Sequence, residues 1–341
     1  MLLSDLKYDY PEELVATSPS RPTRVMLVSV DGSPREITIK QLLDIIPAGD
    51  ILILNDTQVL KRRIFARDIK DQSELEILFL DRLSNGYQKV LFPSKKYKIG
   101  DEIRLPNGAI MTLLEKGLPQ TVRIDPPLTE KDFEEYGELP LPPYIQKARG
   151  KRHNHETDES WYQTAWAKNP GSYAAPTASL HFTHADLAVL KAKGVLVESI
   201  TLHVGLGTFL PVKVEDLSHH KMHEEYYEVK SEVWDKMTQV KKKGGHVWAL
   251  GTTVTRTLET VSRSEKEGSI QLVGSSRLLL QVGSEFQVVD RLMTNFHQPE
   301  STLLALVAAF SNLEIVKRNY KWAIDRKFKL FSYGDLSVWM K

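Results

Sequence analysis

The chain contains no cysteine. This absence excludes disulfide bonds, thiolate metal sites and cysteine nucleophiles, and it is compatible with a reducing compartment. Long apolar runs are missing as well. The first ten residues carry no basic leader, and the longest later apolar run, residues 303–310, is far shorter than the roughly 20 residues that span a bilayer. We therefore expect a soluble, cytoplasmic protein that makes no membrane contact.

Glycine-rich phosphate-binding loops are also lacking. No Walker loop is present, so direct use of ATP has no support. Gly205 and Gly207 have the spacing that opens a dinucleotide fingerprint, but Leu210 stands where the third glycine belongs. His219 and His223 have the i, i+4 spacing that binds zinc on a helix, although the second acid of a metalloprotease motif is missing. We predict no metal site and keep zinc binding as the alternative for this pair.

The charge is nearly balanced, at a formal net +1 over 341 residues. Within residues 61–153, however, Lys and Arg number 18 against 14 Asp and Glu, so a polyanion contact would depend on local asymmetry. The same segment has short alternating apolar runs separated by turn signals at residues 84–86, 98–101 and 106–108, which predict a small antiparallel β-barrel. We predict that this barrel, residues 61–153, is inserted into a discontinuous α/β domain over residues 1–60 and 154–341.

The flanking segments alternate predicted strands with predicted helices. Residues 50–57 resemble a central strand whose carboxyl end presents Asn55, Asp56 and Thr57. Residues 169–209 hold two loops of small residues around one helix–strand unit, and such loops are typical of binding sites. Apolar spacing predicts further elements, which are a helix over residues 231–243, strands over 246–250 and 286–289, and helices over 302–310 and 314–327.

Basic residues gather in short clusters. Each cluster alone is most simply a solvated face, but several in one nearly neutral chain favour a surface that binds phosphates. The cluster residues that we predict to contact nucleic acid are Lys61, Arg62, Arg63, Lys95, Lys96, Lys98, Arg149 and Arg152.

Specific sequence blocks run through the whole chain. Two of the longest are Ala174-Ala-Pro-Thr-Ala-x-Leu-His-Phe-Thr183 and Leu202-His-Val-Gly-Leu-Gly-Thr-Phe209, and others lie at residues 251–259, 294–304 and 331–335. With these blocks the chain resembles the S-adenosylmethionine:tRNA ribosyltransferase-isomerases of queuosine biosynthesis. It departs from the family pattern at Gln58, at Ser179 and over residues 279–283, where the family has an aromatic run. The last departure puts in doubt any family contact made through that strand end.

The resemblance implies both a fold and a reaction. The fold is a three-layer αβα domain with an inserted small β-barrel. The reaction transfers and isomerises the ribosyl part of S-adenosylmethionine onto the aminomethyl-deazaguanine base at the tRNA wobble position, which gives epoxyqueuosine in tRNA and releases adenine and methionine. S-adenosylmethionine is then a co-substrate, tRNA is the partner, and no prosthetic group is expected. We also expect a monomer.

This chemistry needs a base beside the sulfonium, an acid for departing adenine and a pocket for a splayed base. His203 or His181 is expected to act as base or acid, with Asp56 and Glu225 as carboxylate partners. Arg256 is expected to contact an anion or a base, and His297 is expected in the same cleft. The residues expected to be catalytic are His203, His181, Asp56, Glu225, Arg256 and His297. The residues expected to bind substrate are Asn55, Thr57, Ala175, Pro176, Thr177, Phe182, Gly205, Gly207, Thr208, Phe209, Thr252, Thr253, Asn295, Phe296 and Tyr333.

Two other functions remain open from the sequence. A noncatalytic RNA-binding protein would use the same basic clusters. An S-adenosylmethionine-dependent RNA methyltransferase would use the same co-substrate, but no glycine-rich fingerprint follows the first predicted strand.

Overall fold

The computed structural model describes residues 1–266 and 268–341. The strands are β1 (Arg24–Val28), β2 (Pro34–Thr38), β3 (Ile51–Asn55), β4 (Thr57–Val59), β5 (Arg63–Asp68), β6 (Glu74–Arg82), β7 (Gln88–Leu91), β8 (Glu102–Arg104), β9 (Ile110–Glu115), β10 (Gln120–Asp125), β11 (Asn169–Ser172), β12 (Leu196–Leu202), β13 (Glu225–Glu228), β14 (Val247–Leu250), β15 (Val273–Ser276), β16 (Arg291–Asn295) and β17 (Leu336–Met340). The helices are α1 (Ile39–Ile45), α2 (Glu130–Tyr136), α3 (Pro143–Arg149), α4 (Asp158–Trp161), α5 (His184–Ala192), α6 (Ser231–Lys242), α7 (Thr252–Lys266), α8 (Thr302–Phe310) and α9 (Leu313–Asp325).

The chain divides into two compact units. The larger comprises Met1–Val59, Pro142–Arg152 and Glu159–Lys341, and the smaller comprises Leu60–Leu141 and His153–Asp158. Residues 142–152, which the predicted insertion included, group with the larger unit here. Arg149 of α3 is tied to that unit, because its Nε donates to the carbonyl of Thr17 at 2.9 Å.

The larger unit is built on a mixed sheet. Among the described residues it has nine strands in the order β15-β13-β12-β3-β14-β16-β17-β1-β2. The four strands β12, β3, β14 and β16 are mutually parallel, so their carboxyl ends lie along one edge. Strands β3 and β14 are buried at every position, and they are apolar at every position except the end residue Asn55, as expected for strands covered on both faces.

Helices cover both faces of this sheet. Side chains alternate along a strand, so Leu52 and Leu54 of β3 face one side, where they join a core that includes Leu42 of α1 and Leu187 of α5. Helices α6 and α7 contact the sheet at β12 and β14. The fold class predicted from the sequence, a layered α/β domain together with a small antiparallel barrel, is confirmed.

The smaller unit is a closed antiparallel barrel. In the described part of the chain its six strands follow the order β10-β7-β6-β5-β8-β9. Inward residues such as Ile64, Ile77 and Met111 are fully buried and form one apolar core. Closure leaves no unpaired edge, which stabilises a small sheet unit.

Helix ends follow local sequence signals. Helix α5 begins with a capping box, in which the Thr183 hydroxyl accepts from the Asp186 amide at 3.2 Å and the Asp186 carboxylate accepts from the Thr183 amide at 2.8 Å. Helix α6 buries Val233, Trp234, Met237 and Val240. The amphipathic spacing of its apolar residues therefore predicted this helix correctly.

The predicted strand over residues 286–289 is wrong. This segment is irregular, and the strand is β16, which begins at Arg291. The buried carboxylate of Glu259 accepts hydrogen bonds from the amides of Gln287, Val288 and Val289 at 2.9, 3.0 and 3.1 Å. A side chain thus satisfies the backbone donors that a neighbouring strand would otherwise satisfy.

Candidate active site

A cavity of about 870 Å³ opens in the larger unit. Its wall includes residues one or two positions beyond the ends of parallel strands, namely Val204 after β12, Gly251 after β14 and Phe296 after β16. Ligands of open α/β sheets bind at the carboxyl ends of the strands. The volume lies within the range of about 300–1,000 Å³ that is usual for small-molecule sites. Position and size therefore both indicate a ligand site.

The wall contains many of the residues predicted from the sequence. These are Ala175, Pro176, Thr177, Gly207, Phe209, Glu225, Thr252, Thr253, Arg256, Asn295, Phe296 and His297. The sequence reasoning missed several other wall residues, which include Tyr144, Tyr162, His220, Met222, His223 and Phe331. Tyr162 stands in the block Tyr162-Gln-Thr164, and Met222 and His223 stand in the block Met222-His-x-Glu225. The chain shares both blocks with the resembling family, and they were the available signal. Tyr144 follows a proline-rich segment and carried none.

A buried ion pair forms part of the wall. Glu225 opens β13, and Arg256 lies one turn into α7; their side chains are 5% and 10% exposed. The Glu225 Oε1 atom also accepts from the Gly205 amide at 2.9 Å. Burial lowers the pKa of Arg256 to about 10, so the guanidinium stays charged at neutral pH. Its buried Nε has no hydrogen-bond partner among the described residues.

The N-terminus of α7 faces the same space. Gly251 precedes the helix with φ of 106°, a left-handed conformation that favours glycine, and its amide donates to Met293 at 2.8 Å. Thr252 and Thr253 begin the helix and line the cavity. Unpaired amides in a first turn carry partial positive charge. This part of the wall therefore favours an anionic group.

A chain of hydrogen bonds connects the wall residues Thr177 and Asn295 to His181. The Thr177 hydroxyl donates to Asn295 Oδ1 at 2.8 Å, and Asn295 Nδ2 donates to His181 Nε2 at 3.0 Å. Because Nε2 accepts, the proton of the neutral ring lies on Nδ1, which is 3.1 Å from the Thr23 hydroxyl. Burial, helped by Arg21, lowers the pKa of His181 to about 3. His181 is therefore a neutral ring that orients Asn295, and it does not line the cavity itself.

His297 does line the cavity. Its Nε2 lies 2.8 Å from the Thr294 hydroxyl, and its backbone amide donates to the Tyr320 hydroxyl at 3.1 Å. Burial lowers the pKa of His297 to about 3, so its ring is neutral. The lowered pKa also makes this ring a weaker base than a free imidazole.

Asp56 and Asn55 lie away from the cavity. The Asp56 carboxylate accepts from Asn169 Nδ2 at 3.0 Å, from the Thr201 hydroxyl at 2.7 Å and from the Ser199 hydroxyl at 2.9 Å. Asn55 Oδ1 accepts from the backbone amide of Leu202 at 3.1 Å, and Asn55 Nδ2 donates to the Leu202 carbonyl at 3.0 Å. These two side chains join β3 to β12 and leave little capacity for a ligand.

His203 and Thr57 are also placed behind the wall. The Thr57 hydroxyl lies 2.8 Å from His203 Nδ1. The His203 ring stacks on Tyr226 with centroids 5.7 Å apart, and a Cβ at Gly171 would meet the ring at 2.7–2.8 Å. Burial lowers the pKa of His203, although Asp56 and Glu228 oppose this effect. The ring is thus closely packed by its neighbours.

The remaining predicted substrate residues have varied positions. Phe182 is 3% exposed and belongs to the core beneath the sheet. Tyr333 is 1% exposed and its ring lies 5.9 Å from that of the wall residue Tyr162. Gly205 contributes its amide to Glu225. The prediction for Thr208 concerns a side chain outside the described part of the protein.

The predicted RNA contacts in the smaller unit differ in exposure. Arg63 is 1% exposed and pairs with Glu138 at 2.8 Å, so it is not at the surface. Arg62 pairs with Glu130 at 2.8 Å. Lys96 pairs with two aspartates, while Lys95 and Lys98 are exposed and Lys61 is partly exposed. In the larger unit, Arg149 contacts the Thr17 carbonyl and Arg152 is exposed.

The zinc alternative for His219 and His223 loses its structural basis. His219 ends a 3₁₀ turn at Leu217–His219, whereas His223 lies in irregular chain, so they do not share a helical face. Within the described ranges, no group of three or more His, Asp or Glu side chains is placed to hold a metal ion. In those same ranges no helix is both long enough and apolar enough to cross a bilayer.

Fold and cavity together define a small-molecule-binding α/β protein, and comparisons with known proteins identify its family. The model of the family described as "Queuosine biosynthesis protein" matches residues 3–338. Relatives from Staphylococcus aureus strains JH9 and Newman, both named S-adenosylmethionine:tRNA ribosyltransferase-isomerase, are 37% identical over 344 residues, covering 98% of this chain and 98% of each relative. The chain therefore belongs to the queuosine biosynthesis protein family.

A solved structure agrees with this assignment. The crystal structure of S-adenosylmethionine tRNA ribosyltransferase from Thermotoga maritima is 28% identical in sequence and has a TM-score of 0.55. The match covers 98% of this chain and 100% of that chain. The family resemblance recognised from the sequence blocks is confirmed over nearly the full length.

Proposed function

We propose that this protein is an S-adenosylmethionine:tRNA ribosyltransferase-isomerase. It transfers and isomerises the ribosyl part of S-adenosylmethionine onto the aminomethyl-deazaguanine wobble base of tRNA, and it releases adenine and methionine. The observation that carries the proposal is a cavity of about 870 Å³ at the carboxyl ends of the strands, in a chain that matches the family over residues 3–338. S-adenosylmethionine is a drug-sized ligand, and such a volume accommodates it.

Different wall residues are proposed to contact different parts of the bound substrate. Glu225 and Arg256 supply buried charges, while Thr177 and Asn295 supply hydrogen-bond acceptors for the nucleoside. Phe209 and Phe296 line the cavity, and aromatic faces attract a sulfonium cation. A few polar groups on a largely apolar wall fix the orientation of the bound molecule.

His297 is the proposed proton-transfer group. It lies on the wall and its ring is unprotonated at neutral pH. It is thus placed to accept a proton from the carbon beside the sulfonium, as a weaker base than a free imidazole because burial lowers its pKa. His181, His203 and Asp56 are proposed to position the wall from behind. If His181→Ala or His203→Ala lowered kcat more than His297→Asn, this division of roles would be wrong.

RNA contacts on the smaller unit are proposed to use the exposed cations Lys95 and Lys98. On the larger unit, the exposed Arg152 is proposed to make an RNA contact. We propose that the two units are the domains of the enzyme, with the barrel as the inserted one. The protein is proposed to act as a cytoplasmic monomer without a prosthetic group. An anticodon base is already in a single-stranded loop, so its entry into a cavity requires little unstacking.

One incubation tests the function. The full chain is mixed with S-adenosylmethionine and tRNA that carries the aminomethyl-deazaguanine wobble base, and small products are separated. Adenine and methionine in equal amounts are expected, with no release when the tRNA has an ordinary guanine at that position. S-adenosylhomocysteine would instead indicate a methyltransferase. Binding of tRNA without any product would indicate a noncatalytic RNA-binding protein.

A further inference from the structure

We propose that the Glu225–Arg256 ion pair, together with the N-terminus of α7, binds the amino-acid end of S-adenosylmethionine. In this arrangement Arg256 and the helix amides hold the α-carboxylate, and Glu225 holds the α-ammonium. The inference rests on the proposed function, and it assigns one end of the co-substrate to one part of the cavity wall.

The charges of the Glu225–Arg256 pair are complementary to those of an amino acid. Removing two charges from water is costly, and a buried ion pair seldom recovers that cost by itself. Here both partners lie on the cavity wall and are at least nine-tenths buried. An amino acid is a zwitterion, so it can lie against such a pair with each charge next to its opposite. The pair is therefore better matched to a zwitterion than to a ligand with one charge.

Arg256 also has unused hydrogen-bonding capacity. Its buried Nε donates to no partner in the described part of the chain. An unsatisfied buried donor is costly, and a guanidinium commonly binds a carboxylate through two parallel hydrogen bonds. The first turn of α7, beginning at Thr252 and Thr253, adds amides on the same wall. Both features point to a carboxylate.

The charged side chains of Lys147 and Glu300, which also line the cavity, are more exposed than this pair. Lys147 and Glu300 have side chains that are 79% and 42% exposed, and they pair with Glu12 and Lys7. Glu12 and Lys7 are not among the residues that line the cavity. Among the ion pairs described, Glu225 and Arg256 are both buried and both on the wall. They are thus the pair suited to a desolvated zwitterion.

The test compares two ligands by calorimetry. One is S-adenosylmethionine, and the other is its decarboxylated analogue, which keeps the adenosyl group, the sulfonium and the amine but lacks the carboxylate. The wild-type protein should bind the analogue about 10- to 100-fold more weakly, because a charge-assisted contact is lost. Arg256→Lys should weaken binding of S-adenosylmethionine by a similar factor and change binding of the analogue by less than about twofold.

The matched control lies on the same helix. Arg263 pairs with Glu259 at 3.3 Å and does not line the cavity, so Arg263→Lys should leave the ratio of the two affinities unchanged. Equal wild-type affinities for the two ligands would overturn the proposal, and that measurement needs no variant. An equal loss for both ligands in Arg256→Lys would also overturn it.

The proposed function is tested separately. Calorimetry uses the resting protein, so the subsite is tested even if no turnover occurs. Wild-type protein that discriminates the two ligands but releases no adenine with substrate tRNA would contradict the reaction and keep the subsite. Adenine release by a wild-type protein that binds both ligands equally would support the reaction and contradict the subsite.

Discussion

Two buried glutamates, each paired with an arginine of α7, have different surroundings. Glu259 is fully buried, and its carboxylate accepts hydrogen bonds from three consecutive backbone amides, at 2.9–3.1 Å, and from Arg263 at 3.3 Å. Glu225 accepts from one amide, pairs with Arg256 and lies on the wall of the cavity. The first carboxylate is saturated by the protein, whereas the second pair retains an unpartnered donor in the described structure.

The comparison separates structural charges from functional ones. Both glutamates are buried acids beside an arginine, so residue type and burial do not distinguish them. The difference is whether the protein itself satisfies the hydrogen-bonding capacity. A saturated group stabilises the fold, and a group with spare capacity on a cavity is available to a ligand. The following predictions test this rule.

The largest effect is expected for Glu225→Gln. The change removes the negative charge proposed to hold the substrate ammonium, so kcat/KM for S-adenosylmethionine should fall about 100-fold, mainly through KM. Adenine release at varied S-adenosylmethionine concentration measures this. Glu259→Gln is the matched control, and its kcat/KM per folded molecule should stay within about twofold. A similar loss in both variants would break the comparison.

The second prediction concerns stability. Glu259→Gln replaces a carboxylate oxygen by an amide donor that faces the Gln287 amide and Arg263. The free energy of unfolding should fall by about 2 kcal/mol. Glu225→Gln should cost less, because water in the cavity can solvate Arg256. Chemical denaturation of the full chain measures both values, and a larger loss for Glu225→Gln would contradict the rule.

The third prediction concerns pH. Burial lowers the pKa of both His181 and His297 from 6.5 to about 3. The unfolded chain binds protons at these sites below pH 6.5 while the folded chain does not, so stability should be lost as pH falls from about 6.5 towards about 3. Each histidine should contribute up to about 1.4 kcal/mol per pH unit. His181→Gln should flatten the dependence by one such contribution, and an unchanged slope would show that His181 is protonated in the fold.

Much of the architecture could be predicted from local patterns. Helix α8 runs over Thr302–Phe310 as its apolar run predicted, and the alternating runs of the barrel give the strands of a closed sheet. These elements follow from periodicity and turn residues, which are local in sequence. The segment over residues 286–289 has the composition of a strand but bonds to Glu259 instead. A long-range contact of this kind has no local signal.

The site was predicted only in part, because its long-range contacts also lack a local signal. Sequence blocks located the wall residues Glu225, Arg256 and His297, but they also included Asp56 and His181, whose hydrogen bonds are satisfied inside the protein. Position at the end of a strand does not reveal which partners a side chain will meet. Similarly, the basic cluster at residues 61–63 includes Arg63, which is buried against Glu138. Whether the hydrogen bonds and charge of a side chain are satisfied depends on tertiary contacts, so it cannot be predicted from the sequence alone.

The smallest predicted effect applies the rule to two adjacent lysines. Lys96 pairs with Asp68 at 2.9 Å and Asp71 at 3.0 Å, and these partners raise its pKa. Lys95 is exposed and has no partner among the described residues. A lysine releases counterions from a tRNA phosphate only if its own charge is not already neutralised by an acidic side chain of the protein. Lys95→Gln should therefore weaken tRNA binding a few-fold, and Lys96→Gln should not.

The salt dependence makes this last comparison decisive. In a plot of log Kd against log salt concentration, Lys95→Gln should reduce the slope by about 0.7–0.9, the value for one lost phosphate contact. Lys96→Gln should leave the slope within error of wild type, because its charge is already neutralised by the two aspartates. The two variants remove the same charge from neighbouring positions, so general electrostatics would affect them equally. Equal slopes in the two variants would mean that pairing inside the protein does not determine which charges are available to RNA.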